Sequence, residues 1–187
     1  GGDAQNDSSI YGKIIFKEFS NQDDFTIISK GHRNPQGLFV DNNIVISTEH
    51  GPKGGDEINK IVFGKNYGWP IASYGSSYSK KDLKYKKSHE DYGFEEPIFS
   101  FVPSIGISEI IEIPENFNEY WKNNFLIASL NGHSLYRVKF SNDFKKVLFH
   151  EKIFIGERIR DLKYDFNSKL ILIALESKGN LGLIKIK

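Results

Sequence analysis

Short runs of apolar or alternating residues recur about a dozen times along the 187-residue chain, separated by clusters of Gly, Asn, Asp, Ser or Pro. Runs of this kind predict β-strands, because a pleated strand buries its side chains with a period of two. They comprise residues 13–19, 25–29, 37–47, 58–63, 98–101, 107–113, 125–130, 135–140, 146–154, 158–164, 170–175 and 181–186. One helical turn is predicted near residues 115–122, after Pro114. The fold class is therefore predicted to be all-β.

Strands of this number and spacing suit a sandwich, a barrel or a propeller, and their periodicity alone does not choose among the three. A weak internal repeat favours the propeller. Residues 37–49 and 162–176 each contain a strand, an Asn-containing turn and a second strand that ends in Glu. Since a propeller blade has about four strands, a chain of this length is predicted to form part of a propeller with about three to four blades.

Composition narrows the kind of partner and the kind of site. The net charge of +1 and the pI near 8.0 predict no nucleic-acid partner, and no apolar run is long enough for a membrane span. The chain has no cysteine, which excludes disulfides and thiolate metal sites. It also lacks methionine and a signal-like start, so we expect a fragment of a longer protein. The lysine-rich residues 80–89 are interpreted as a solvated loop.

Arginine is scarce, since it supplies four of the 25 basic residues, and three of those four lie in two polar motifs. In residues 31–38 (GHRNPQGL), Arg33, Asn34 and Gln36 precede an apolar strand. They predict either a ligand site at the mouth of the strand or a capped polar turn, and the residues alone leave both open. In residues 156–161 (GERIRD), Arg158 and Arg160 point the same way in an extended segment, which favours an anion between them.

A third motif, residues 49–59 (EHGPKGGDEIN), combines the carboxylates of Glu49, Asp56 and Glu57 with carbonyls exposed around Gly51 and Pro52. Calcium prefers mixed carboxylate and carbonyl ligation. The alternative is a glycine-rich loop with solvated acids, which the residues alone slightly favour. The following residues 64–70 (GKNYGWP) are interpreted as structural, because Asn and Gly permit tight turns and Trp69 can cover a core.

Taken in order, GHRNPQGL, EHGPKGGDEIN, KNYGWP and GERIRD closely resemble the glucose/sorbosone dehydrogenase family of soluble quinoproteins, the aldose sugar dehydrogenases. The similarity extends to residues 2–15 and 103–106 and so covers nearly the whole chain. It implies a six-bladed β-propeller that oxidises an aldose at C1 to the lactone. Hydride passes to pyrroloquinoline quinone (PQQ), and calcium polarises the quinone carbonyl.

The resemblance also implies what surrounds this chemistry. Residues 1–187 would be the C-terminal part of a single propeller domain. The partners would be a small sugar substrate and an external electron acceptor, and the protein would be periplasmic or secreted. By motif match, the quinone contacts would come from Arg33, Asn34, Tyr78, Arg158 and Arg160. The calcium ligands would be the carbonyls of Gly51 and Pro52 at the cofactor, and Glu57 with Tyr67, through its backbone, in the loop.

Two departures from the family pattern matter. The family's proton-abstracting histidine precedes the segment matched here, so no residue of this chain is assigned as catalytic. Asn131 stands where family members often have a lysine that faces the quinone, and it is included among the cofactor-binding residues. Asn131 cannot neutralise a carboxylate, so the alternative function is a propeller without redox chemistry that binds calcium and a carbohydrate or another anion. A lactonase-type hydrolase is disfavoured, because neutral lactones do not need the paired arginines.

Overall fold

The computed structural model describes residues 2–20, 24–42, 44–78 and 85–186. Within these ranges the chain forms thirteen strands and two short 3₁₀ helices, Gly2–Gln5 and Glu90–Tyr92. The strands are β1 (Lys13–Phe16), β2 (Thr26–Lys30), β3 (Pro35–Asp41), β4 (Ile44–Glu49), β5 (Asp56–Lys60), β6 (Phe99–Phe101), β7 (Ile107–Glu112), β8 (Phe125–Ser129), β9 (Ser134–Phe140), β10 (Val147–Phe154), β11 (Ile159–Asp165), β12 (Leu170–Leu175) and β13 (Asn180–Ile184). The all-β prediction is confirmed. Part of the predicted solvated loop, residues 80–84, lies outside the described residues.

The described strands form four antiparallel sheets in which sequence neighbours pair. The first sheet contains β1 and β2, and the fourth contains β11 to β13. The second (β3 to β6) and third (β7 to β10) are complete four-stranded meanders. Each meander is a blade-like unit, because its strands follow one another without a crossover.

Strand β8 shows how the sheets are held together. All five of its residues are buried, so both of its faces are covered. Phe125 and Ile127 enter a core shared with the second sheet, whereas Leu126 and Ala128 enter a core shared with the fourth. Because strand side chains alternate between faces, a continuous apolar run here predicts a sheet packed on both sides.

The first strands of successive sheets lie next to one another, since β7 contacts both β3 and β11. The last strand of the third sheet, β10, is mostly exposed. Sheets that stack face to face, with their first strands together and their last strands outside, form a sector of a β-propeller. The prediction of a partial propeller with three to four blades is confirmed.

The predicted helical turn near residues 115–122 is wrong. The segment forms consecutive tight turns, in which Phe117 N–H donates to the Pro114 carbonyl and Trp121 N–H donates to the Asn118 carbonyl, both at 3.0 Å. These i to i+3 bonds close separate turns because no helical hydrogen bonds continue between them. Among the described residues, no helix has the length and apolar character needed to cross a membrane.

Candidate functional site

The sheet topology gathers most of the predicted site residues at one end of the sheets. In an antiparallel meander, the chain enters the first strand and leaves the second strand at the same end. Arg33 and Asn34 precede β3, and Arg158 precedes β11. Gly51 follows β4 and Asn131 follows β8. We call this end, at which β3, β7 and β11 begin, the site face.

The same main-chain hydrogen bond closes the site face in three sheets. In each case the residue after the second strand donates its N–H to a carbonyl just before the first strand. The bonds run from His50 to Asn34 (3.1 Å), from Leu130 to Gly106 (2.8 Å) and from Glu176 to Arg158 (2.8 Å). The backbone at these positions is therefore fixed in the same way in each sheet.

A continuous polar network crosses the site face between two of the arginine motifs. The Gln36 amide donates to Asn34 Oδ1 at 3.0 Å and accepts from Arg160 Nη1 at 3.3 Å, although Gln36 and Arg160 are 124 residues apart. Arg160 Nη2 then donates to Glu176 Oε1 at 2.7 Å, and Arg158 Nε donates to Glu176 Oε2 at 2.8 Å. The structure thus brings the GHRNPQGL and GERIRD motifs together.

Glu176 occupies the space between the paired arginines. Arg158 and Arg160 reach the same carboxylate, as expected for residues on one side of an extended segment, and Ile159 between them is buried. Hydrogen bonds from Arg160 and Arg158 lower the pKa of Glu176, so the carboxylate is ionised at neutral pH. The sequence predicts an anion between the two arginines, and the Glu176 carboxylate of the chain itself occupies that place.

Arg33 is held at the site face by two contacts. Its Nη1 donates to the His50 carbonyl at 3.0 Å, and its guanidinium lies over the Trp69 ring, 5.3 Å from the centroid. Trp69 was interpreted as structural from the sequence, and the structure adds this stacking contact with an arginine. A planar guanidinium stacked on an aromatic ring keeps several N–H donors available in a fixed direction.

A small cavity of about 10 Å³, large enough for roughly one water-sized group, lies beside Arg33. Three of the four predicted calcium ligands line it. Its lining residues are Arg33, Glu49, His50, Gly51, Glu57, Tyr67, Trp69, Ala72 and Ser73. The motifs at residues 31–38, 49–59 and 64–70 therefore meet at one place.

Asp56, one of the three carboxylates considered for calcium, is fully occupied by hydrogen bonds. Oδ1 accepts from the Gly51 N–H at 3.1 Å and the Ser104 hydroxyl at 2.8 Å. Oδ2 accepts from the Ile105 and Ile107 N–H groups, both at 3.0 Å. Asp56 therefore ties the start of β7 to the second sheet and is not available as a metal ligand.

Glu49 is likewise engaged within the chain. Its carboxylate accepts the Arg33 backbone N–H through Oε1 and lies 3.0 Å from His32 Nδ1 through Oε2. His32 is buried, with its Nε2 2.8 Å from Ser29 Oγ and its ring stacked on Tyr67 at 4.5 Å. This buried pair orients the GHRNPQGL motif, and it is not predictable from the sequence, which shows only that both residue types are present.

Glu57 is the buried carboxylate of this motif that lacks a strong partner. It accepts one long hydrogen bond, 3.4 Å from Asn59 Nδ2, and His89 Nε2 lies 4.0 Å away. Burial raises the pKa of Glu57 well above its usual range, and the negative charge of Glu49 adds to the shift. A cation beside Glu57 would offset both effects, so this residue fits a hard metal ion such as calcium.

Tyr67 can serve such a metal only through its main chain. Its hydroxyl donates to the Lys60 carbonyl and accepts the Val62 N–H at 3.0 Å. Burial raises the pKa of the Tyr67 phenol above its usual range, so the hydroxyl stays neutral. Within the described ranges, no three His, Cys, Asp or Glu side chains are placed to hold a metal ion together. A calcium ion here would therefore need backbone carbonyls in addition to Glu57.

Some of the predicted site residues do not line this cavity. Arg158 and Arg160 lie in the polar network on the same face, and Asn131 is exposed there. Pro52 packs its ring close to Gly75, where an added Cβ would come within 2.7 Å. Tyr78 is 73% exposed. The structure thus brings Arg33, Gly51, Glu57 and Tyr67 together at the cavity, and it leaves the roles of the others as predictions.

Comparison with known proteins supports the motif match. The family model for glucose/sorbosone dehydrogenase matches residues 5–184. The aldose sugar dehydrogenase YliI of Escherichia coli is 34% identical over 159 residues, covering 83% of this chain and 42% of the relative. Quinoprotein glucose dehydrogenase B of Acinetobacter calcoaceticus is 46% identical over 71 residues, covering 35% of this chain and 15% of the relative. The chain thus spans less than half the length of these curated relatives.

A solved glucose dehydrogenase structure has the same arrangement of sheets. It superposes with a TM-score of 0.83 and 29% sequence identity, covering 100% of this chain and 57% of the solved one. The family match therefore spans the polar network, the cavity and both complete sheets. This chain belongs to the glucose/sorbosone dehydrogenase family.

Proposed function

We propose that the protein to which this chain belongs oxidises an aldose at C1 to the lactone, using PQQ and calcium, and that residues 1–187 are the C-terminal part of its propeller domain. The observation that carries this proposal is the meeting of Arg33 and Glu57 at one cavity. An anion-binding group and a carboxylate that needs a cation stand side by side there. A quinone that carries both carboxylates and a bound calcium ion matches this pairing.

The residues that would hold PQQ are Arg33, Asn34, Arg158 and Arg160, with Tyr78 and Asn131 at the periphery. PQQ has three carboxylates, and the site face carries three guanidinium groups, of which two share Glu176. When bound, PQQ would supply the hydride acceptor for the sugar C1, and calcium would supply a Lewis acid. The arginines would orient the cofactor, and their fixed donors would give it one position relative to the sugar.

The residues that would hold calcium are the carbonyls of Gly51 and Pro52 beside the cofactor, and Glu57 with the Tyr67 carbonyl in the loop. The buried, poorly satisfied carboxylate of Glu57 supports this assignment. Asp56 and Glu49 would instead fix the backbone around the ion, because their oxygens are already bound by N–H and hydroxyl donors or by His32.

No residue of this chain is assigned the abstraction of the sugar hydroxyl proton. His32 is buried between Ser29 and Glu49, and His89 is buried next to Glu57, so neither faces the site surface. By the family resemblance, the base would be supplied by another part of the protein. The remaining partners would be a small sugar and an external electron acceptor, and the location would be periplasmic or secreted.

The test is reconstitution of the full-length protein. Purified apo-protein is titrated with PQQ in the presence of calcium or EDTA, and the reduction of an artificial dye is followed with a panel of aldoses. We expect saturable, calcium-dependent turnover with at least one aldose, and at least tenfold weaker PQQ binding when Arg33 is replaced by Ala. Absence of PQQ binding in the wild type would overturn the proposal.

A second candidate is a propeller of this family that binds calcium and a carbohydrate or another anion without redox chemistry. It is favoured by Asn131, which cannot neutralise a quinone carboxylate, and by Glu176, which already compensates part of the arginine charge. The same titration separates the two functions. Calcium-dependent binding of a sugar, with no PQQ binding and no dye reduction, would support the binding protein.

A further inference from the structure

Gln36 has no assigned role, yet it lies at the centre of the polar network. In the β3–β4 pairing, Pro35 faces Glu49 and Gly37 faces Thr48, so Gln36 is the extra residue of a β-bulge. A bulge changes the direction of the side chain it carries. Here that side chain connects the second sheet to the fourth through Arg160.

The hydrogen bonds of Gln36 use both halves of its amide. Its Nε2 donates to Asn34 Oδ1 at 3.0 Å and to the Pro35 carbonyl at 3.2 Å, while its Oε1 accepts from Arg160 Nη1 at 3.3 Å. An amide oxygen accepts and an amide nitrogen donates, so the Arg160 contact fixes which way the Gln36 amide faces. That orientation in turn requires the Asn34 oxygen, and not its nitrogen, to face Gln36.

One consequence concerns the free half of the Asn34 amide. With its oxygen taken by Gln36, the exposed side of Asn34 presents an NH₂ donor. Arg160 also presents only donors, because a guanidinium has no acceptor. Apart from the Glu176 carboxylate, which Arg160 already binds, Asn34 and Arg160 therefore present N–H donors next to Gln36, and these suit a carboxylate or carbonyl oxygen.

We propose that Gln36 is a positioning residue that keeps the Asn34 NH₂ group and the Arg160 guanidinium directed at an acceptor oxygen of the ligand. The identity of the ligand rests on the proposed function, in which the acceptor oxygen belongs to PQQ. A charged side chain could not make the same bonds as Gln36, because a carboxylate cannot donate to Asn34 and an ammonium cannot accept from Arg160. An apolar side chain would lose all three hydrogen bonds.

The first test does not need the cofactor. In the ¹⁵N-labelled full-length apo-protein, the side-chain amide signal of Asn34 is identified by its loss in Asn34→Ala and is then compared between wild type, Gln36→Leu and Gln36→Glu. We expect a shifted or broadened Asn34 signal in both Gln36 variants and no change in Val40→Thr, an exposed control on the same strand. An unchanged Asn34 signal in both Gln36 variants would show that Gln36 does not orient Asn34.

The second test is PQQ titration of the same apo-proteins, with far-UV circular dichroism as the check on folding. We expect Gln36→Leu to weaken PQQ binding about tenfold, the effect of losing one to two hydrogen bonds. The penalty should shrink at least threefold in the Asn34→Ala background, because Gln36 acts partly through Asn34. Equal penalties in both backgrounds, or wild-type affinity in Gln36→Leu, would overturn the positioning role.

The two tests also separate this inference from the proposed function. If the wild-type protein does not bind PQQ, the proposed function fails and the acceptor ligand of Gln36 is lost with it. The Asn34 amide signals still decide whether Gln36 orients Asn34. If PQQ binds but Gln36→Leu is without effect in either test, the quinone function stands and the inference about Gln36 is wrong.

Discussion

Replacing Glu57 with glutamine should change the stability of the calcium-free and the calcium-loaded protein in opposite directions. The Glu57 carboxylate is buried and accepts one 3.4 Å hydrogen bond, and burial raises its pKa well above the usual range. Glutamine keeps the shape and removes the charge. Because an ionised carboxylate without adequate partners is more costly to bury than a neutral amide, the calcium-free variant should gain about 1–3 kcal/mol in free energy of unfolding at a pH where Glu57 is ionised.

In the calcium-loaded protein, Glu57→Gln should instead lower the free energy of unfolding. An ion that binds only the native state at 100 times its Kd stabilises the protein by about 2.7 kcal/mol. Each kcal/mol raises Tm by about 2–4 °C for a domain of 150–250 residues and by less for a larger one, so calcium should raise the Tm of the full-length wild type by about 5 °C or less. Glu57→Gln should lose most of that rise, because a neutral amide is a weaker calcium ligand than a carboxylate.

The assay is thermal unfolding of the full-length protein, measured by circular dichroism in EDTA and in calcium. Glu90→Gln, an exposed glutamate, serves as the matched control and should keep the full calcium shift. Equal calcium shifts in the wild type and Glu57→Gln would remove Glu57 from the calcium site. A lower Tm of the variant in EDTA would show instead that the carboxylate is already satisfied without a metal.

Three further substitutions test other parts of the structure. Asn131→Lys should tighten PQQ binding roughly tenfold to a hundredfold, the value of a charge-assisted contact of about 1.5–3 kcal/mol, and titration of the apo-protein with unchanged affinity would contradict this. Burial, together with the nearby charge of Asp161, raises the pKa of Glu109, so its ionised form is disfavoured in the native state. Stability should therefore fall as the pH rises from the ordinary glutamate pKa through the raised native pKa. Glu109→Gln should flatten this fall in urea midpoints, whereas parallel profiles would refute this. Asp56→Asn should destabilise the protein by about 3 kcal/mol or more in urea unfolding, because an NH₂ group would face N–H donors, and a loss below about 1 kcal/mol would show that the site rearranges.

The strands were predictable from the sequence because their signal is local. The apolar run at residues 125–130 reappears as β8, which is buried on both faces. The segment after Pro114 was not predictable in the same way. Acids followed by a lysine suit a helix start and end, but the segment is only long enough for separate turns, and such boundaries depend on how the flanking strands pack.

The site was predictable only in part, because residues distant in sequence decide which of its charged side chains are already bound within the protein. Glu49, Asp56 and Glu57 are all carboxylates of the motif at residues 49–59, and the sequence alone does not distinguish them. Asp56 differs from the other two because its carboxylate accepts hydrogen bonds from the N–H groups of Ile105 and Ile107, which lie about 50 residues further along the chain. Likewise, the motif GERIRD predicted an anion between its arginines but could not indicate that Glu176, after β12, would be that anion.

The repeated main-chain bond at the site face has a consequence for how this surface can diversify. Because the same N–H to carbonyl bond follows β4, β8 and β12, this bond does not depend on which side chain the donating residue carries. The chain places a histidine (His50), a buried leucine (Leu130) and a glutamate (Glu176) at these three positions. Where the side chain at such a position is exposed, as at Glu176, a single substitution could change ligand preference while this main-chain bond is kept.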